Sequence, residues 1–517
     1  MNGMPAITII TFLPLLAGLT LLAWRPEAGM AKRFAVALAA VVLLGAGGLW
    51  WGFDPDAAGM QFEQRLAWIP ALGVDYCVGI DGISLLLVGL TALLVPFAIL
   101  AGSVNGPRAN LYYALILFLE SGLLGTFTAL NFFHWFLFWE LSLIPAFFLV
   151  KLWGGPDRGP AATQFFVYTM VGSVAMLLGF LALFLATGTF DFRALAELGQ
   201  QGQLGDLLAA KIRLGGIEAR ELALLVFLGV FLGFAVKVPA IPFHTWLPGT
   251  YATAPTPVTM LLTGAMSKMG VYGFLRILLP IFPEQVRAVM PILLLLALAT
   301  IVLSAWSAFA QTDLKRMFAY SSINHLGYCL LGIFLAARLS TRTADMDIER
   351  AAVLNGVVLQ MFNHGLTAAS LFCLLGWLEQ RSGGLRCMAD FGGLRKVAPV
   401  FCGLMGIATF ASLGLPGLNG FIGEFLVFKG AFALSPWSAA LAVPGLLITA
   451  IFLLTFLQRV FYGPLEERWS SFPDLTVGER WLLVVPIGLM FLIGIVPQVA
   501  LHLVNPTVIR LVEGLTP

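Results

Sequence analysis

Two lysines, Lys237 in LVFLGVFLGFAVKVPAIPF and Lys268 in VTMLLTGAMSKMGVYGFL, stand in otherwise apolar runs. Two glutamates are placed in the same way, Glu140 in NFFHWFLFWELSLIPAFFLV and Glu424 in LPGLNGFIGEFLVF. A charge near the centre of a bilayer costs at least ~2.5–3.5 kcal/mol, so a chain keeps one there only when it faces a bundle interior and has a partner or a task. A buried lysine beside a carboxylate is poised to bind a proton and pass it on when that carboxylate moves or is screened. Acids and bases alternating through apolar segments point to an ion path, with Glu140 as the expected partner of Lys237 and Lys268 as the next acceptor.

Further polar groups extend the series. Glu120 in LILFLESGLLG is a second buried carboxylate, suited to an uptake route or to a structural hydrogen bond. His325 in SSINHLGY and His364 in FNHGLTAAS are flanked by small or hydroxyl residues, and imidazole relays protons near neutral pH. His244 in IPFHTWLP lies beside a proline pair and reads more simply as a packed, hydrogen-bonded histidine. Lys429, one to two turns after Glu424, is either its partner or an interfacial anchor. Lys151, at the end of an apolar run, reads as a snorkelling side chain. Asp313, Lys315 and Arg316 read as charges flanking a span.

The elements that must hold these groups follow from composition. The 517 residues are 59% hydrophobic and 11% charged, against about 25% charge in globular domains. Apolar stretches long enough to span a bilayer recur throughout: 5–24, 34–53, 80–102, 110–130, 131–153, 161–187, 221–247, 256–281, 287–310, 315–337, 351–377, 397–434, 438–463 and 480–504. The predicted fold is an all-α polytopic membrane protein with about fourteen transmembrane helices. Segment 57–79 is mixed and aromatic, a hairpin or surface helix outside the bilayer. The loop 188–220 is expected to hold a short interfacial helix. The N-terminus reads as a first span rather than a signal peptide.

Two spans are interrupted alike. Pro239 and Pro242 follow Lys237, and Gly414, Pro416, Gly417 and Gly420 precede Glu424. Broken backbone at membrane depth is tolerated only inside protein or against a wet cavity. Interrupted helices at matching places mark inverted repeats. The chain is therefore divided into 1–109 (helices 1–3), 110–281 (a first five-helix repeat), 282–463 (a second, inverted repeat) and 464–517 (helix 14). Loops 25–33, 378–396 and 459–480 lie on the face richer in Lys and Arg, which is cytoplasmic by the positive-inside rule and leaves both termini periplasmic.

Composition and motifs also exclude. The five cysteines form no CxxC pair, which argues against zinc or iron–sulfur ligation. No glycine-rich nucleotide motif is present. No long basic run suggests nucleic acid. No cofactor is expected in this chain.

The segments FWELSLIP, FAVKVPAIPFHTWLPGTYATAPTPVTMLLTGAMSKMGVYGFLRI, TDLKRMFAYSSINHLGY and PGLNGFIGEF, together with DFGGL at 390–394, resemble the antiporter-like membrane subunits of respiratory complex I. They are also similar to subunits of multisubunit cation/proton antiporters and membrane-bound hydrogenases. The resemblance covers roughly 75–460. Glutamate at 424, where several such subunits carry lysine, and the absence of a long lateral helix favour the chain M type. The resemblance implies a proton-translocating subunit of an NADH:quinone oxidoreductase in the cell inner membrane, with redox chemistry carried by other subunits. It implies that Glu140 and Lys237 form the family's glutamate–lysine pair, Lys268 its relay lysine and Glu424 its exit glutamate, with His325 and His364 on a central polar axis. Neighbouring antiporter-like subunits, the bilayer and protons are the implied partners. The alternative is a subunit of a cation/proton antiporter without redox partners.

Overall fold

Long runs of Leu, Val, Ile, Phe and Ala with few charges satisfy their backbone only as helices once water is excluded. The computed structural model describes residues 5–57, 59–212, 216–338 and 344–515. In chain order the helices are α1 (Ala6–Trp24), α2 (Ala28–Gly52), α3 (Gly82–Ala101), α4 (Ala109–Thr128), α5 (Phe132–Trp153), α6 (Arg158–Thr187), α7 (Phe192–Gln200), α8 (Leu204–Lys211), α9 (Ala219–Lys237) and α10 (Trp246–Thr253). They continue with α11 (Thr256–Leu261), α12 (Lys268–Gly273), α13 (Leu279–Ile281), α14 (Pro283–Ala288), α15 (Met290–Phe309), α16 (Leu314–Ala336) and α17 (Ala344–Arg381). The last five are α18 (Pro399–Leu413), α19 (Asn419–Leu434), α20 (Pro436–Phe461), α21 (Val477–Ile495) and α22 (Gln498–Leu515).

Among the described residues, twelve of these helices are long and apolar enough to cross a membrane. The two expected spans not among the twelve are both interrupted. One is the run 256–281, in which π-helical turns at Leu262–Met266 and Phe274–Leu278 separate α11, α12 and α13. The other is the pair α18 and α19, split at Gly414–Leu418. The expected span 480–504 is corrected: α21 stops at Ile495, Pro497 follows, and 498–515 forms a separate helix.

The segment 57–79 resolves as a hairpin. Strands β1 (Gln61–Ile69) and β2 (Val74–Ile80) pair antiparallel, from Gln61↔Ile80 to Ile69↔Val74. Its outer edge is closed by a bridge between Val78 and Ala129, and Leu130 donates its N–H to the Cys77 carbonyl. Ion pairs Arg193–Glu63 and Arg65–Asp191 fasten the hairpin to the start of α7, and Arg65–Asp75 ties its two strands together. The loop 188–220 holds two short helices, α7 and α8, and its residues 213–215 lie outside the described set.

Following the chain through each crossing puts the hairpin, α7, α8, α14 and α22 on one face. The opposite face carries the ionic contacts Lys315–Glu379, Arg386–Asp313 and Arg381–Glu479. The 38 residues of α17 give a helix about 57 Å long at 1.5 Å per residue, more than a bilayer's apolar thickness. Its middle is buried on all sides and packs along α16, α18 and α19.

Candidate functional site

The first interruption has a local cause. Proline at 239 brings no N–H to the Ala235 carbonyl, so α9 cannot continue. The Ala240 N–H bonds that carbonyl instead, at 2.8 Å. Trp246 Nε1 donates to the Val236 carbonyl at 3.0 Å, and the Ile241 N–H donates to Thr300 Oγ1 at 3.0 Å. The freed polar groups of the break are thus met by α10 and α15. Lys237 is the last residue of α9, beside the break.

Lys237 is 2% exposed, and its Nζ has no hydrogen-bond partner. It lies 4.9 Å from the Trp139 ring centroid, a cation–π distance. The Trp139 indole is fixed by donating to Ser173 Oγ on α6 at 2.9 Å. Glu140, the next residue on α5, is half-buried and interacts electrostatically with Lys237 without closing an ion pair. Leu137 and Ile144, on the same side of α5, are exposed, so Glu140 stands at the margin of the bundle. Glu120 on α4 is 0% exposed, and both its carboxylate oxygens lack hydrogen-bond partners. No described contact joins it to Glu140 or Lys237.

Lys268 is 0% exposed and richly partnered. Its Nζ donates to the Thr263 carbonyl at 2.5 Å and to Ser267 Oγ at 3.3 Å, and lies 2.7 Å from His364 Nδ1. The π turn at Leu262–Met266 changes the backbone bonding just before the lysine, and π turns are frequent at functional sites.

From His364 the polar series continues. The His364 and His325 ring centroids are 5.3 Å apart. His325 Nδ1 lies 3.0 Å from Glu424 Oε1, and His325 Nε2 lies 3.1 Å from Ser412 Oγ. Gln360 Nε2 donates to Glu424 Oε1 at 3.3 Å. These groups line a narrow cavity of only about 10 Å³ with Asn363, Thr367 and Gly420.

The second interruption positions Glu424. Gly414 ends α18 at φ +78°, and Gly417 follows at φ +93°. These left-handed values favour glycine. A Cβ at Gly414 would stand 2.7 Å from Glu424 Oε2, and one at Gly423 would stand 2.7 Å from Gln360 Oε1. Asn419 opens α19, and its N–H₂ group donates to the Asn363 carbonyl at 3.3 Å while Asn363 donates to the Asn419 carbonyl at 2.6 Å. This reciprocal pair locks the half-helix onto α17.

A profile described as "NADH:quinone oxidoreductase/Mrp antiporter, TM" matches residues 129–449, which hold both interruptions and the whole polar series. The chain belongs to this family. It is 35% identical over 514 residues to the NADH-quinone oxidoreductase subunit M of Rhodobacter capsulatus, covering 98% of this chain and 96% of that one. It is 37% identical over 475 residues to the F(420)H(2) dehydrogenase subunit M of Methanosarcina mazei, covering 90% of each. Among solved structures, a chain of respiratory complex I from Thermus thermophilus superposes with a TM-score of 0.83 at 30% identity, over 99% of this chain and 100% of that one. A chain of the Mrp complex from Dietzia sp. DQ12-45-1b shares the fold, with a TM-score of 0.81 at 20% identity over 99% of this chain and 100% of that one.

Against the sequence reading of this family member, the site residues fall into two groups. Lys268, His364, His325 and Glu424 form a near-continuous series. Glu140 and Lys237 form a second, looser group, and Glu120 stands apart. His364 stands between Lys268 and His325. Of the two readings of Lys429, the pairing with Glu424 is set aside: it pairs with Glu349 of α17 at 2.7 Å. His244, with its Nδ1 unpartnered, lies near Tyr320 and outside both groups. Gln360, Ser412, Asn363 and Asn419 were missed, because amides and hydroxyls in apolar helices give no signal stronger than ordinary interhelical bonding. A buried ion pair between Asp81 and Arg276 was also missed.

Proposed function

We propose that the chain is a proton-translocating membrane subunit of an NADH:quinone oxidoreductase, of the chain M type, driven by redox chemistry in other subunits and with no redox centre of its own. The observation that carries the reading is the buried series Lys268–His364–His325–Glu424, which joins the π-interrupted run 256–281 to the break between α18 and α19 in a chain of this family. Each member can hold or release a proton, and each neighbour is near enough to take it directly or through one intervening group.

Glu140 acts as the charge that a neighbouring membrane subunit perturbs, because it sits at the bundle margin beside Lys237. When the Glu140 charge is withdrawn, the Lys237 ammonium, without a hydrogen-bond partner among the described residues, loses its neighbouring carboxylate, and its proton is driven inward toward Lys268. Transfer then runs through His364 and His325 to Glu424. Glu120 supplies a further buried carboxylate on the uptake side. Residues 110–281 and 282–463 act as two inverted units, each with a helix broken at proline or glycine beside an ionisable residue, after the N-terminal helices of 1–109 and before the C-terminal part, 464–517. The chain resides in the cell inner membrane with both termini periplasmic, since Arg386, Arg395, Lys396 and Arg468 sit together on the opposite face.

The test is proton pumping by membrane vesicles carrying the assembled complex with Lys237→Ala, Lys268→Ala or Glu140→Ala, scored beside the rate of electron transfer. Loss of pumping in the lysine variants is expected. Pumping and electron transfer both unchanged in all three would defeat the site assignment. Sodium flux that follows the same variants without any electron donor would place the chain with the cation/proton antiporters.

A further inference from the structure

The turn that carries Lys268 is bracketed. The π turn at Leu262–Met266 precedes α12, and a second at Phe274–Leu278 follows it. A π turn accommodates an extra residue and replaces the i→i+4 bonds by wider i→i+5 ones, as in the Ser267 N–H to Leu262 carbonyl bond at 3.1 Å, so the rotation of a short α-segment between two such turns is open to adjustment by side chains. Side chains at its two ends refine that orientation. At the first end, Lys268 Nζ is tied to the Thr263 carbonyl and to His364. At the other end stands a second anchor that the polar series does not include.

Arg276, inside the second π turn, forms an ion pair with Asp81. Asp81 is 2% exposed and caps α3, accepting from the Ser84 N–H at 3.0 Å. Tyr272, one turn after Lys268, joins the same cluster. Its hydroxyl lies 3.1 Å from Ser84 Oγ and donates to the Phe127 carbonyl at the end of α4 at 3.2 Å. A buried ion pair contributes little net stability but fixes geometry, because either charge left alone there is costly. The surface helix α22 rests on the same point. Thr507 Oγ1 accepts from the Gly82 N–H at 3.2 Å, and a Cβ on Gly82 would stand 1.9 Å from the Leu503 carbonyl.

We propose that Asp81 and Arg276 are a positioning pair for Lys268: they set the rotation of Lys268–Gly273 between its two π turns, and α22 holds their anchor at the start of α3. The inference rests on Lys268 being a relay group. With the pair in place, the lysine is held against His364. With the pair broken, α12 turns about its π junctions and the Lys268–His364 contact lengthens. The titratable groups facing Lys268 are His364 on α17 and, further off, His325 and Cys329 on α16, so its protonation behaviour reports that contact.

The experiment uses the whole complex in native membranes with Asp81→Asn, Arg276→Gln, Arg276→Lys and, as reference, Lys268→Ala. Assembly, electron transfer, pumping per electron and the pH profile of coupled turnover are measured. Asp81→Asn and Arg276→Gln are expected to lower pumping several-fold and to displace the pH profile, and Arg276→Lys to restore both in part. Wild-type pumping and profile in assembled Asp81→Asn and Arg276→Gln complexes, with Lys268→Ala inactive, would overturn the positioning role and leave the relay standing. Normal pumping in Lys268→Ala would overturn the relay itself. Should the first two variants not assemble, Arg276→Lys decides: a displaced profile supports the pair, and an unchanged one overturns it.

Discussion

His325 on α16 and Glu424 on α19 meet at 3.0 Å through Nδ1 and Oε1, although 99 positions separate them in the chain (424 − 325). Gln360 of α17 bonds the same carboxylate oxygen, so three helices converge on one acidic group. The carboxylate is therefore held by neutral and ionisable donors together. Such convergent support fixes the position of the carboxylate, which is what the proposed terminal relay role requires.

Glu424→Gln preserves the shape and an acceptor for Gln360 but removes the exchangeable proton. Pumping is expected to fall by ~10²-fold, the scale on which a positioned proton donor or acceptor contributes, with assembly intact. Glu424→Ala leaves His325 and Gln360 without their partner and should also lower stability by about 1–3 kcal/mol. Thermal unfolding of the purified complex separates the two variants.

Gly414→Ala tests the break rather than the acid. The position has φ +78°, and the added methyl would lie 2.7 Å from Glu424 Oε2. A left-handed conformation costs a non-glycine residue roughly 1–2 kcal/mol, and the carboxylate must also move. Pumping should drop to near the level of Glu424→Gln although no ionisable group has been changed. Wild-type pumping in this variant would show that the placement of the carboxylate is not critical.

The lysines and Glu424 are legible in the sequence because a charge within an apolar run is expensive and therefore informative. The two breaks are legible because proline and glycine clusters have few other uses at membrane depth. The contact of Lys268 with His364 is not legible, since the two lie on separate helices 96 positions apart. Neither are the π turns flanking α12: Leu, Thr, Gly, Ala and Met read the same in an α-helix. Asp81 follows the hairpin and looks like a loop residue, so nothing in its neighbourhood announces a buried pair with Arg276. The separate helix α22 was folded into the preceding span because its apolar residues continue the hydropathy of α21 across Pro497.

Cys77 gives a check on the hairpin. It lies in β2, outside the spans, and is 1% exposed. Burial, with the nearby Glu63 carboxylate adding to it, pushes its thiol up to about 11. The thiolate is the reactive form, and below that value the thiol is protonated. Maleimide labelling of Cys77 in the folded protein should thus be negligible at pH 7–8 and appear only on unfolding. Fast labelling of Cys77 at neutral pH would mean that the hairpin does not pack against the Ala129–Leu130 segment as described.

Lys237→Met separates stability from function. The ammonium lacks a hydrogen-bond partner and touches Glu140 only through the field, with the Trp139 ring as its nearest support. Replacing a buried charge by an apolar side chain of similar length removes a desolvation cost, and such changes are often neutral or stabilising. The variant complex should unfold at the same temperature or higher, while pumping falls by ~10²-fold. The half-buried Glu140 loses no bonded partner and should not offset that gain. A destabilised complex would instead mean that Lys237 is a structural group whose partner lies in a neighbouring subunit. A stable complex with unchanged pumping would remove Lys237 from the proton path and leave Lys268 as the first buried acceptor.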